Sequence, residues 1–189
     1  ESLRSAVAAL EMAGVFVVAS AGNSGPACST VADPIAMFGE AFSVGALDEQ
    51  GNLAPFSSRG PVTLDGSGRI KPDIAAPGVD VLSAYPNNSY ELASGTSMAG
   101  PHVAGVVALI WSANPALIGD VAATRALLTR SATLFTGGIG GGDPFAAEPA
   151  VPLAVTPCVT TEDAATTPNT WAGYGIVNAF EAVSAALAP

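Results

Sequence analysis

Ser97 stands where a hydroxyl gains most as a nucleophile. The run Ser94-Gly95-Thr96-Ser97 opens a long apolar segment, Met98 to Trp111, whose length predicts a helix. Ser97 then lies at the helix N-terminal end, where unpaired N–H groups and the helix dipole favour developing negative charge. Taken alone, the same four residues are also compatible with a plain helix cap. Asn23 is the second residue of interest, in the turn Ala21-Gly22-Asn23-Ser24-Gly25-Pro26. That turn follows an apolar run that reads as a strand, and open α/β sheets place ligands at the carboxyl ends of their strands. A Gly-Asn pair is equally ordinary turn chemistry.

The elements that must position these two residues follow from the pattern. Leu3, Val7 and Leu10 recur at helical spacing up to Met12, and Gly14 stands where a helix would stop. Val15 to Ala19 has no polar alternation, as expected of a parallel strand covered on both faces. Short apolar segments at Ala41 to Leu47 and Ile74 to Leu82, the latter interrupted by Pro77-Gly78, predict further strands. Pro101 is tolerable if it falls in the first turn of its helix. A second helix is predicted from Asp120, as N-cap, to Arg130, with two arginines near its end to complement the dipole. A loop-rich insert is expected at about 136–170, where glycines and then Ala, Pro and Thr dominate. Trp171 to Val177 reads as a strand or turn, and Ala179 to Leu187 as a closing helix.

Composition limits the function classes. Charged residues make up 12% and hydrophobic residues 49% of the 189 residues, which argues against disorder. Sixteen acids against six bases give a net charge of −10, so phosphate backbones and anionic membranes are repelled and neither nucleic acid nor membrane is an expected partner. The mean hydropathy of +0.44 is high, yet no apolar run approaches the roughly 20 residues that cross a bilayer. Glu1 opens no signal peptide, and the absent initiator Met points to a fragment or a processed chain. Two cysteines, Cys28 and Cys158, cannot form a CxxC metal site; a long-range disulfide and two buried thiols both stay open.

The run Ser94-Gly95-Thr96-Ser97-Met98-Ala99-Gly100-Pro101-His102-Val103-Ala104-Gly105 closely resembles the serine motif of the subtilases, the subtilisin-like serine peptidases. The resemblance extends, in matching order, to Val17 to Gly25, to Phe56-Ser57-Ser58-Arg59-Gly60-Pro61, and to Lys71-Pro72-Asp73-Ile74-Ala75-Ala76-Pro77-Gly78. It implies that Ser97 is the nucleophile and that Asn23 donates its side-chain amide to the oxyanion beside the Ser97 N–H. It further implies that Ser20, Ala21 and Gly22 line one wall of the pocket for the residue before the scissile bond. Asp73 resembles a position near a weak cation site, although a surface or capping carboxylate is the expectation and no metal is assigned.

His102 is the one histidine of the chain. In a helix five positions amount to about 140° of rotation and roughly 7.5 Å of rise, which turns its ring away from Ser97. The family pattern likewise implies a structural role for it. The aspartate and histidine motifs of the family are absent from this sequence. The expectation is therefore the C-terminal portion, residues 1–189, of a subtilisin-like three-layer α/β sandwich with a mostly parallel sheet. That portion would need an N-terminal half carrying Asp and His. The implied activity is a secreted serine endopeptidase acting on peptides or proteins through an acyl-enzyme, with no cofactor required and calcium possible for the full-length domain. A sedolisin would carry an aspartate in place of Asn23. The alternative from another class is a non-catalytic scaffold or interaction module derived from a subtilase.

Overall fold

A computed structural model describes residues 2–138 and 167–188. Helix α1 (Ser2–Met12) ends as the glycine predicts: Gly14 takes φ +79 and donates its N–H to Glu11 O. Three strands follow, β1 (Val18–Ser20), β2 (Phe42–Leu47) and β3 (Ile74–Pro77). They form one parallel sheet in the order β1-β2-β3, with Val18 opposite Phe42 and Val44 opposite Ile74. Every residue of β2 is buried, Ser43 included, as expected of an inner parallel strand covered on both faces.

An 18-residue helix, α2 (Thr96–Ala113), crosses one face of the sheet. Its Ala99, Val103 and Ile110 pack against Phe42, Val44, Ala46 and Ile74, and Ala182 and Ala186 of α4 (Ala179–Leu187) complete that core. Full burial of a Val or Ile side chain is worth about 1.5–3 kcal/mol, so this layer dominates the stability of the fold. The opposite face packs Ala19, Ala21 and Ala41 against Val7 of α1 and against Val31, Met37 and Val62. Helices thus flank a parallel sheet on both sides. Among the described residues, no helix is long and apolar enough to cross a membrane.

Several expectations need correction. The Val15 to Ala19 run is strand only from Val18, because β2 starts at Phe42 and leaves Val15 and Phe16 without ladder partners. The chain after Pro77 does not simply extend the sheet. It forms an antiparallel hairpin, β4 (Val81–Tyr85) with β5 (Ser89–Ala93), closed by Asn87 and Asn88 at φ +64 and +59. Pro101 is the sixth residue of α2, not part of its first turn, because the helix begins at Thr96. Its missing N–H leaves the Ser97 carbonyl without the usual i+4 donor.

Helix α3 (Val121–Arg130) is capped by Asp120, whose side chain accepts from Ala123 N at 2.9 Å. Only Arg130 lies in its last turn; Arg125 is mid-helix, with its guanidinium 5.3 Å from the Phe42 ring centre. Of the expected insert, residues 139–166 lie outside the described residues, and with them Cys158; Cys28 is disulfide-bonded.

Candidate active site

The first turn of α2 and the turn after β1 meet at the carboxyl end of the sheet. Gly95, the N-cap of α2, has no side chain with which to satisfy the helix N–H groups. Asn23 does so from across the fold: its Oδ1 accepts from Thr96 N and from Thr96 Oγ1, each at 2.9 Å. Thr96 Oγ1 in turn accepts from Gly22 N at 3.2 Å. Thr96 is buried, and Asn23 and Ser97 are exposed beside it.

An N–H can donate only to the oxygen of an amide, so this contact fixes which end of the Asn23 amide faces the helix. Nδ2 is left as the outward donor, and a methyl group on Gly95 would lie 3.4 Å from it. The Met98 N–H bonds to Gly95 O at 3.0 Å, whereas the Ser97 N–H meets no backbone acceptor among the described residues. An amide N–H, an amide NH₂ and a hydroxyl therefore share one helix end with unsatisfied positive dipole.

The turn holding Asn23 is itself clamped. Ser58 N donates to Gly22 O at 2.9 Å, Ser24 N to Ser58 Oγ at 3.1 Å, and Gly25 N to Phe56 O at 2.8 Å. Gly22 takes φ +105, and a Cβ there would stand 2.8 Å from Ser58 Oγ, so both its conformation and its surroundings require glycine. Ser20 is half-buried, and its hydroxyl faces Gly100 of α2. Ala21 points its side chain into the core, so its exposed contribution to a pocket wall is limited to backbone.

Ser97 borders a cleft of about 330 Å³ formed with the hairpin residues Val81, Leu82 and Ser83 and with Met98, Pro101 and His102. His102 Nδ1 donates to Met98 O at 2.9 Å, one turn back on the same helix. No hydrogen bond links it to Ser97 among the described residues.

Asp73 is largely buried and held by side chains of the fold, where a surface or capping carboxylate was expected. It accepts from Ser43 N at 2.6 Å, Ser43 Oγ at 3.0 Å and Lys71 Nζ at 2.5 Å, and Arg125 Nη1 lies 3.6 Å away. Burial lowers the Lys71 pKa from its usual 10.5, and the Asp73 carboxylate opposes that shift. The network ties β2, the approach to β3 and α3 together on the side chains of residues far apart in sequence. Among the described residues, no group of three or more His, Cys, Asp or Glu side chains is arranged to hold a metal.

Thr96 is the residue that motif reading passed over as a spacer between Gly95 and Ser97. Its burial and three hydrogen bonds come from the 73-residue separation to Asn23, which no local pattern signals.

Comparison with known proteins agrees with this geometry. The subtilase family model matches residues 1–175. Bacillopeptidase F of Bacillus subtilis (strain 168) is 38% identical over 192 residues, covering 98% of this chain and 11% of that protein. Subtilisin DY of Bacillus licheniformis is 44% identical over 118 residues, covering 61% of this chain and 39% of that protein. The prenylagaramide maturation protease PagA superimposes with a TM-score of 0.67 at 27% identity, over 99% of this chain and 56% of that one. The chain spans less than half the length of either curated relative. With the family match covering most of the sequence, the chain belongs to the subtilase family.

Proposed function

We propose that this chain is the nucleophile-bearing portion of a subtilisin-type serine endopeptidase. Ser97 Oγ attacks the peptide carbonyl carbon, its proton passes to a general base, and the amine departs to leave an acyl-enzyme that water hydrolyses. The developing oxyanion takes hydrogen bonds from Asn23 Nδ2 and from the Ser97 N–H. The observation that carries this reading is the lock on the Asn23 amide: with Oδ1 held by Thr96, only the donor end is free beside Ser97.

The chain's one histidine is engaged with Met98, so the base and its aspartate belong to other residues of the intact protein. Residues 1–189 form the C-terminal portion of the peptidase domain in this reading, with the 136–170 insert as an elaboration of it. Ser20, Ala21 and Gly22 supply one wall of the pocket for the residue before the scissile bond, Ala21 through its backbone. Substrates are peptides or proteins, and no cofactor is needed for the chemistry; calcium, where bound, would serve the full-length domain. The disulfide at Cys28 supports an extracellular setting.

A fluorophosphonate probe tests the assignment. The intact protein should be labelled at Ser97, and the Ser97→Ala variant should fold and remain unlabelled. Labelling at another serine, or none in a preparation with every expected domain present, overturns it.

A further inference from the structure

Among the described residues Arg59 is the largest side chain that the fold encloses completely, and none of their carboxylates answers its charge. Its backbone is fixed, with N–H donating to Thr30 Oγ1 at 2.9 Å and the carbonyl accepting from Thr30 N at 2.8 Å. The side chain cannot reach solvent, yet among the described residues Nε, Nη1 and Nη2 all lack a hydrogen-bond partner. Its Cζ lies 5.3 Å from the centre of the Trp171 ring, whose attraction offsets part of the lost hydration and satisfies none of the N–H groups.

Two neighbours share this condition. Trp171 Nε1 and Thr170 Oγ1 are also buried and without a partner among the described residues, and Gly60 N donates to Thr170 O at 3.1 Å, which seats this pair against the Arg59 turn. Lys71, the other enclosed cation, shows what a satisfied charge looks like here, with Ala41 O at 2.8 Å and the Asp73 carboxylate in contact. Among the described residues, no carboxylate comes within ion-pairing distance of Arg59. Burial pulls the Arg59 pKa down only to about 10, so the guanidinium stays protonated at neutral pH.

Every unmet group in the cluster can donate, and a buried cation without a partner carries an uncompensated desolvation cost. The protonated guanidinium at its centre repels a metal cation, and complete enclosure excludes an extended ligand. We propose that Arg59, Thr170 and Trp171 hold a small monovalent inorganic anion, of the chloride type, as a built-in counter-charge. The anion joins the Phe56–Pro61 turn to the segment around Trp171. Through Ser58, which bonds Gly22 and Ser24, it also braces the turn that presents Asn23.

Crystals of the intact protein grown in sodium bromide test this directly. The expected result is an anomalous peak in hydrogen-bond contact with the Arg59 guanidinium. Water molecules or a protein carboxylate filling those contacts would overturn the proposal, as would bromide confined to surface sites, an adventitious ion only. In solution, replacing gluconate by chloride at constant ionic strength should raise the melting midpoint by about 2–4 °C. Arg59→Met should abolish that rise; an equal rise in the variant, or none in the unaltered protein, counts against the site. Should the variant fail to fold, the bromide experiment and the unaltered protein's chloride series still decide the question.

Discussion

Asn23 caps a helix that begins 73 residues later in the chain, its Oδ1 accepting from both the N–H and the hydroxyl of Thr96 at 2.9 Å. One side chain therefore does two things with opposite ends. Its oxygen satisfies the first turn of α2, and its nitrogen is left facing the surface beside Ser97.

The two roles separate by substitution. Asn23→Asp keeps the acceptor, and a carboxylate at a helix N-terminus is favoured by the dipole, so stability should hold or rise slightly. Turnover should fall by at least about 10²–10³, a magnitude whose source is the oxyanion asparagine of subtilisin itself and not an independent derivation. Asn23→Ala should lose similar activity and also about 1 kcal/mol of stability through the missing cap. Urea unfolding and peptide hydrolysis by the intact protein read both; equal stability of the two variants would contradict the capping role.

Thr96→Val removes the hydroxyl that links Gly22 N to Asn23 Oδ1. Leaving the part-buried Gly22 N–H unmet should cost about 1 kcal/mol. The turnover number should fall less than in Asn23→Asp, because the Thr96 N–H still holds the amide. Thr96→Ser, which retains the hydroxyl, should restore most of the loss in both thermal unfolding and activity.

Gly95 takes φ +151 as the N-cap of α2, outside the range that side chains adopt readily. Gly95→Ala should destabilise by about 1–3 kcal/mol through backbone strain, since its methyl group reaches Asn23 Nδ2 only at an ordinary contact distance of 3.4 Å. Relief of that strain at the first turn of α2 should depress turnover beyond what the stability loss explains; activity equal to that of the unaltered protein at a temperature where both are folded would show that the site does not depend on this backbone conformation.

Burial holds the Lys71 pKa below 10.5, the value it regains on unfolding. Between the depressed folded value and 10.5 the unfolded chain binds more protons, so the contribution of Lys71 to stability rises with pH across that window and is flat below it. Denaturant titrations from pH 7 to 10.5 should show this rise in the unaltered protein and not in Lys71→Met. Asp73→Asn, which strips the ammonium of its counter-charge, should cost about 3–5 kcal/mol at pH 7 and extend the rise to lower pH.

His102 is exposed and bonded to Met98 O, so His102→Ala should change stability by no more than about 0.5 kcal/mol. Hydrolysis by the intact protein should keep its pH profile, since the base lies elsewhere. Loss of the neutral-pH limb in this variant would return His102 to the list of proton carriers.

The sequence by itself determined the main helices, the parallel strands and the chemistry at the start of one helix, but not the β4–β5 hairpin. Gly14 ends α1, the apolar segments Val15 to Ala19 and Ala41 to Leu47 mark parallel strands, and the serine motif places Ser97 at the mouth of a long apolar helix. These signals are local: a capping residue, a turn glycine or a hydrophobic period acts within a few residues, so a string of letters records it. The start of α2 at Thr96, the orientation of the Asn23 amide, the docking of Asp73 onto Ser43 and Arg125 and the isolation of Arg59 were decided only by tertiary structure. Each depends on contacts between residues some 30 or more positions apart, or on their absence. Which donor meets which acceptor at that range is set by sheet register and helix packing, and no neighbouring residue encodes it.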